Sequence, residues 1–173
     1  MKRAASAVAG LLLASCAITP EPTKLPELES VPASFEMAGR IAVRQGDRSD
    51  IAKLRWTHDG ARDTWVISSP LGNEVARIES TQRGATLQRA GAPAESAGDF
   101  RSLTEQLLGV ALEPRQLANW LHAPVGGLST GGWTVQVQET QRAGAVDIAR
   151  LIVATRGETS VRLVVDDYRA LGK

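Results

Sequence analysis

From Phe35 to Arg44 the chain alternates in character. Phe35, Met37, Gly39, Ile41 and Val43 are apolar or small, and Glu36, Arg40 and Arg44 stand between them. A period of two belongs to an extended strand with one apolar face. The pattern returns after short breaks. Gln45 to Ser49 reads as a turn, and Ala52, Leu54 and Trp56 then alternate with Lys53 and Arg55. His58 to Ala61 reads as a second turn, followed by a strand at Trp65–Ser68. Beyond Ser69-Pro70-Leu71-Gly72, short strands are predicted over Glu74–Ser80 and Ala85–Arg89. Connections this short join antiparallel neighbours, so the first half reads as a meander.

The middle of the chain has a different period. Asp99 can cap a helix that carries Phe100, Leu103, Leu107 and Val110 at helical spacing, with Gly109 near its end. Pro114 suits the first turn of a second helix bearing Leu117, Trp120 and Leu121, which Pro124-Val125-Gly126-Gly127 closes. After a glycine-rich loop come strands at Trp133–Gln138, Ala145–Ala154 and Ser160–Asp166. About eight strands and two helices result, a mainly β chain of the α+β class. A sheet of this kind has one apolar face to cover, and the two helices are the available cover. Two outcomes satisfy that requirement. The helices pack tightly and leave a solid core, or a curved sheet fails to close and the helices cap an apolar cavity.

Ahead of the folded body lies a leader. Lys2 and Arg3 precede an apolar run, Ala4 to Ala14, which suits a signal peptide and is too short to span a bilayer. Leu13-Ala14-Ser15-Cys16 closes it on the chain's single cysteine and resembles the bacterial lipobox, in which the cysteine is freed and lipidated. No Asp follows in the second place, since Ala17 and Ile18 stand there. By resemblance to Gram-negative sorting signals, that implies export to the outer membrane. Residues 1–15 are therefore expected to be removed. Residues 16–34, with Pro20, Pro22, Pro26 and Pro32, read as an extended, flexible tether, and 35–173 as one domain. Lys2 and Arg3 leave with the leader, so 20 basic side chains become 18 against 19 acidic ones. That balance lacks the basic excess of a nucleic-acid binder.

Catalysis finds little support. His58 and His122 are the two histidines, both read into turns or helix ends and neither in a metal or nucleophile motif. Asp166-Asp167 reads as a solvated strand end whose two side chains point to opposite faces. No phosphate-cradling loop or nucleophile elbow is present in the sequence. No catalytic residue, metal site or cofactor is expected.

Several segments together resemble a known family. Phe35–Val43 (FEMAGRIAV), Leu54-Arg55-Trp56, the SPLG turn at Ser69–Gly72, Leu107-Leu108-Gly109, Leu117-Ala118-Asn119-Trp120-Leu121 and Gly132-Trp133 occur in the order seen in the LolB family. Those are outer-membrane receptors of the lipoprotein localisation pathway, and the likeness covers roughly Phe35 to Tyr168. It implies a half-open antiparallel β-barrel lidded by helices and enclosing an apolar cavity. It also implies a monomer that accepts lipoproteins from the periplasmic carrier LolA, binds their acyl chains and inserts them into the inner leaflet of the outer membrane. Tyr168 stands where the family often has Trp, and Leu121-His122-Ala123-Pro124 lacks a Gly before Pro. Both departures are expected to weaken contacts nearby.

The implied site follows residue by residue. Met37, Ile41, Leu54, Trp56, Trp65, Ile67 and Ile78 on the strands would line the cavity, with Leu103, Leu107, Leu117 and Trp120 on the helices. Each is equally a candidate for ordinary core, and Trp133 is a weaker one. Leu71, between Pro70 and Gly72, matches the position where the family projects an apolar residue toward the membrane. The alternative is a leucine folded back over the barrel mouth. Competing functions are a generic lipid- or glycan-binding lipoprotein, and a scaffold that uses the fold as a surface.

Overall fold

The structure is a computed structural model that describes residues 31–172. Cys16, the leader and the tether up to residue 30 lie outside the described residues. Ten strands form one antiparallel sheet: β1 (Ser34–Gln45), β2 (Arg48–Asp59), β3 (Arg62–Ser68), β4 (Glu74–Thr81), β5 (Gly84–Arg89), β6 (Glu95–Ala97), β7 (Leu128–Thr130), β8 (Trp133–Ala143), β9 (Val146–Arg156) and β10 (Thr159–Ala170). Two helices, α1 (Phe100–Leu108) and α2 (Pro114–Leu121), fall between β6 and β7. The strand order is β6-β5-β4-β3-β2-β1-β10-β9-β8-β7. A six-strand meander, β1 to β6, and a four-strand one, β7 to β10, thus meet at the β1–β10 pair, and β6 and β7 remain as unjoined edges. The barrel is half open.

The ladders run further than the alternation alone predicts. β1 ends at Gln45 and β2 begins at Arg48, so the first turn shrinks to two residues and carries Gly46 at φ 54°. His58 belongs to β2 rather than to a turn, because it pairs with Asp63 on β3 and Phe35 on β1. β6 and β7 are additional strands of three residues each, too short to show a period.

Inward positions alternate as expected on β1 to β5. Met37, Ile41, Leu54, Trp56, Trp65, Ile67 and Ile78 are all buried in one apolar core. The phase breaks on β10. The register slips between Ala38 and Gly39 on β1, where Val165 and Asp167 are the successive partners and Asp166 is the extra residue. A bulge of this kind puts consecutive residues on the same side. Asp166 and Asp167 are both exposed, within the strand rather than at its end, and this corrects the opposite-face expectation.

The helices begin and stop where their caps dictate. Asp99 accepts a hydrogen bond from the Ser102 backbone N–H at 2.8 Å and another from its hydroxyl at 2.8 Å. These bonds hold the Asp99 carboxyl below the usual range. Gly109, at φ 73°, closes α1 with its N–H on the Glu105 carbonyl. Val110 falls beyond the helix yet is buried with it. Pro114 starts α2 as predicted. Buried Thr104 ties the two helices together: its hydroxyl donates to the Arg101 carbonyl at 2.9 Å and accepts from the Leu112 N–H at 3.0 Å. α1 packs on β4, β5 and β6, and α2 on β9, so each helix covers one side of the open sheet. Gln45 also donates to the Gly109 carbonyl, fixing the end of β1 to the end of α1.

Candidate functional site

The interior between sheet and helices is built from the inward rows of the strands. Trp56 pairs across the ladder with Met37 on one side and Trp65 on the other, and Trp65 with Ile78. Phe100 meets Trp65 edge-on at 4.9 Å between ring centroids, and Trp56 and Trp65 lie 5.9 Å apart. On the other half, Trp120 meets Trp133 edge-on at 5.4 Å, while the Arg156 guanidinium lies 4.4 Å from the Trp133 ring. Leu103, Leu117 and Trp120 are buried, and Leu107 is half-buried. Trp133, the weaker candidate, belongs to the same core. Leu87, Leu112, Ile152 and Leu163 are equally enclosed. Alternation would have placed Leu87, Ile152 and Leu163 in that set.

In this structure these side chains pack against one another. A cleft of about 610 Å³ opens beside them, at the end of the sheet where the tether enters. Val31, His58, Asp63, Phe100, Pro114 and Ala118 are among its lining residues. Of the eleven sequence-predicted cavity residues, none lines it.

Several polar atoms lie within the core. The Trp56 Nε1–H donates to Asp63 Oδ1 at 2.7 Å, and His58 Nδ1 sits 2.8 Å from the same oxygen. The indole N–H groups of Trp65, Trp120 and Trp133 are buried with no hydrogen-bond partner among the described residues. A buried donor left unpaired costs about 1–3 kcal/mol.

At the rim, His122 and Tyr168 are joined by a hydrogen bond. His122 is buried, and because a carbonyl can only accept, its Nδ1 donates to the Ala118 carbonyl at 2.8 Å. Its Nε2 then accepts from the Tyr168 hydroxyl at 2.9 Å. Tyr168 stacks on Phe35 at 5.5 Å, and Phe35 packs edge-on against Trp56 at 4.8 Å. Tyr168 is thus held by a buried hydrogen bond and by ring stacking at the end of β10.

Burial raises the Tyr168 pKa from 10.0 to about 12. Below pH 10 the phenol is protonated both folded and unfolded, and burial has no pH-dependent effect. Between pH 10 and 12 only the unfolded chain releases the proton, so stability falls as pH rises, by up to about 1.4 kcal/mol per pH unit. Tyr168→Phe is expected to lose about 1 kcal/mol at pH 8, from the lost hydrogen bond to His122. It should also remove that alkaline slope. Urea midpoints from pH 8 to 12 test this; parallel curves for the two proteins would refute it.

The loop between β3 and β4 presents the second element. The Ser69 N–H donates to the Asn73 carbonyl and the Gly72 N–H to the Ser69 carbonyl, each at 2.8 Å. Gly72 takes φ 96°, a left-handed conformation that glycine adopts without penalty. This stitched turn holds Leu71 89% exposed, so it does not fold back over the mouth. Pro70 and Gly72 beside it are also exposed. Ile51 and Val75, which the sequence reading did not select, are exposed at the same end of β2 and β4. Their signal was present: each is an apolar residue on the otherwise charged parity of its strand.

Comparison with known proteins agrees with this architecture. The chain is 33% identical to the outer-membrane lipoprotein LolB of Cupriavidus necator, with 91% of each chain covered. It is 29% identical to that of Azoarcus sp., over 97% of this chain and 95% of the relative. Among solved structures, a LolA superfamily protein from Nitrosomonas europaea shares the fold at TM-score 0.55 and 10% identity, covering 84% of this chain and 90% of that one. A DUF1329 family protein from Desulfovibrio piger also has TM-score 0.55, at 6% identity, covering 82% and 87%. The family model described as outer membrane lipoprotein LolB matches residues 33–168, the whole of the half-barrel up to Tyr168, and the chain belongs to the LolB family.

Proposed function

We propose that this chain is a monomeric outer-membrane lipoprotein, anchored through a lipidated Cys16 and facing the periplasm, that receives lipoproteins from the carrier LolA. It would hold their acyl chains between sheet and helices and release them into the inner leaflet. It works by binding, with no chemical step. The observation that carries this reading is the apolar face of an open sheet covered by two short helices rather than by a second sheet. Such an interior opens by displacing helices, without breaking a strand ladder.

The energetics require an enclosed route. Each methylene brought into water costs about 0.8 kcal/mol, so one long acyl chain carries on the order of 10 kcal/mol. Crossing the periplasm bare is excluded on that ground, and hand-over needs a rising affinity from carrier to receptor. Met37, Ile41, Leu54, Trp56, Trp65, Ile67, Ile78, Leu103, Leu107, Leu117 and Trp120 are the proposed lining. The packed interior described above is the unloaded form. Its three unpaired indole N–H groups support an interior that gains by rearranging, since a cargo's ester carbonyls offer acceptors. The test is transfer: a LolA–lipoprotein complex is mixed with this protein, and cargo is followed by affinity capture. Cargo that binds this protein from detergent but never moves from the carrier would instead identify a generic lipid binder.

A further inference from the structure

We propose that the end of the sheet bearing Leu71 is a docking face for anionic phospholipid: Ile51 and Val75 enter the bilayer surface beside Leu71, and Lys53 and Arg55 take lipid phosphates. This rests on the reading of Leu71 as a membrane contact and extends it to a defined surface with a lipid preference.

The apolar part comes from exposure. Among the described residues, four large hydrophobic side chains stand exposed: Ile51 at 63%, Leu71 at 89%, Val75 at 41% and Val125 at 67%. Three of the four share one end of β2, β3 and β4. Ser68 pairs with Lys53 on one side and Glu74 on the other, which puts Leu71 just beyond that row. Ile51 lies two residues beyond Lys53 in the same direction, and Val75 follows Glu74. At the opposite end, the turns around Gly60 and Gln82 carry no exposed large apolar residue among those described.

The charged part lies directly behind. Arg40, Lys53, Arg55 and Arg77 line a groove of about 600 Å³ on the outer face, together with Gly72, Glu74 and Asp166. Two of these cations are already matched: Arg40 with Asp166 at 2.8 Å and Arg77 with Glu74 at 2.9 Å. Glu36, also in the groove, is held by Arg169. Among the described residues, neither Lys53 nor Arg55 has a carboxylate within 4.0 Å, and Lys53 stands directly opposite Arg40 on the neighbouring strand. An apolar tip backed by unneutralised cations matches the interface of an anionic bilayer, where the tip enters and the cations stay at headgroup level. Each basic side chain there raises occupancy about five-fold.

The attachment geometry permits it. The chain enters β1 at the far end, where the Gly60 N–H donates to the Ala33 carbonyl. Twelve residues of β1 extend about 40 Å. The stretch from Ala17 to Ser34 can span up to about 60 Å, so an anchored Cys16 and a docked Leu71 can share one bilayer.

The experiment uses the full-length lipidated protein, in which Cys16 is consumed, with a polarity-sensitive fluorophore on Asn73→Cys or, as a control, on Ala61→Cys. Each is reconstituted into vesicles of phosphatidylethanolamine alone or with phosphatidylglycerol. The Asn73 label should enter an apolar environment and the Ala61 label should not, with more docking on phosphatidylglycerol and less in high salt. Lys53→Gln with Arg55→Gln should lower the docked-to-free ratio at least tenfold on phosphatidylglycerol and remove its salt dependence. Ile51→Ser with Val75→Ser should lower it at least tenfold on both vesicles. Near-UV circular dichroism confirms that each variant is folded. If Leu71→Glu abolishes docking while both double variants dock normally, Leu71 acts alone and the proposed face is overturned. If the double variants impair docking and Leu71→Glu does not, the face stands and the reading of Leu71 falls. A label that stays in water until a carrier protein is added assigns the surface to a protein and overturns the proposal.

Discussion

Leu71→Glu is expected to slow delivery of lipoproteins into liposomes at least tenfold while leaving folding and uptake of cargo from the carrier unchanged. The substitution sits on a turn closed by its own backbone hydrogen bonds, Gly72 to Ser69 and Ser69 to Asn73, which do not involve the Leu71 side chain. At 89% exposure the leucine contributes almost nothing to the core, so its removal leaves the fold intact. Its contribution appears when it meets lipid. Burying a leucine is worth about 1.5–3 kcal/mol, and a carboxylate at the same depth adds a penalty of about the same size. Each 1.4 kcal/mol is a factor of ten, which sets the lower bound. The assay separates two steps: cargo on the receptor, and cargo in the bilayer. Equal insertion by wild type and Leu71→Glu would show that the loop has no part in release. Loss of uptake from the carrier would place Leu71 in the hand-over instead.

Legibility of this protein in its sequence follows the range of the interactions. β1 to β5 are readable because each displays its own alternation, and the helix boundaries because Asp99, Gly109 and Pro114 act within one turn. Leu71 is readable too, since a leucine between Pro70 and Gly72 has no strand to pack on. Features set by contact between distant segments are not. The bulge at Asp166 depends on how β10 meets β1, 126 residues earlier in the chain at Arg40, so nothing local announces that Asp166 and Asp167 share a side. The hydrogen bond between His122 and Tyr168 spans 46 residues, and neither residue announces it alone. The basic groove is assembled from β1, β2 and β4, and becomes a cluster only when the register is known. Whether the interior is filled or hollow is likewise a matter of volumes, which alternation does not encode.

Gly39→Ala is expected to destabilise the fold by about 3 kcal/mol, among the most damaging single-methyl additions available to this chain. Read along the strand, Gly39 is merely a small member of the apolar face. In three dimensions it sits at the β1–β10 seam, where a Cβ would lie 2.1 Å from the Val164 carbonyl oxygen, 3.1 Å from its carbon and 3.2 Å from the Val165 Cα. All three are backbone atoms, so no rotamer change relieves the contact. The two strands must separate by about an ångström, and the ladder bonds flanking the bulge lengthen with them. This seam is also the single join between the two meanders, so no neighbouring pair can take up the displacement. Against a total stability of about 5–15 kcal/mol, the loss is a large fraction. Urea unfolding measures it, and hydrogen exchange locates it. Faster exchange is expected at Val164 and Val165 first, with β3 to β5 changed only through the global loss. A Gly39→Ala protein within 1 kcal/mol of wild type would mean that β10 shifts freely along β1. The seam would then be a sliding joint, and the opening of the interior would have to be sought there instead of at the helices.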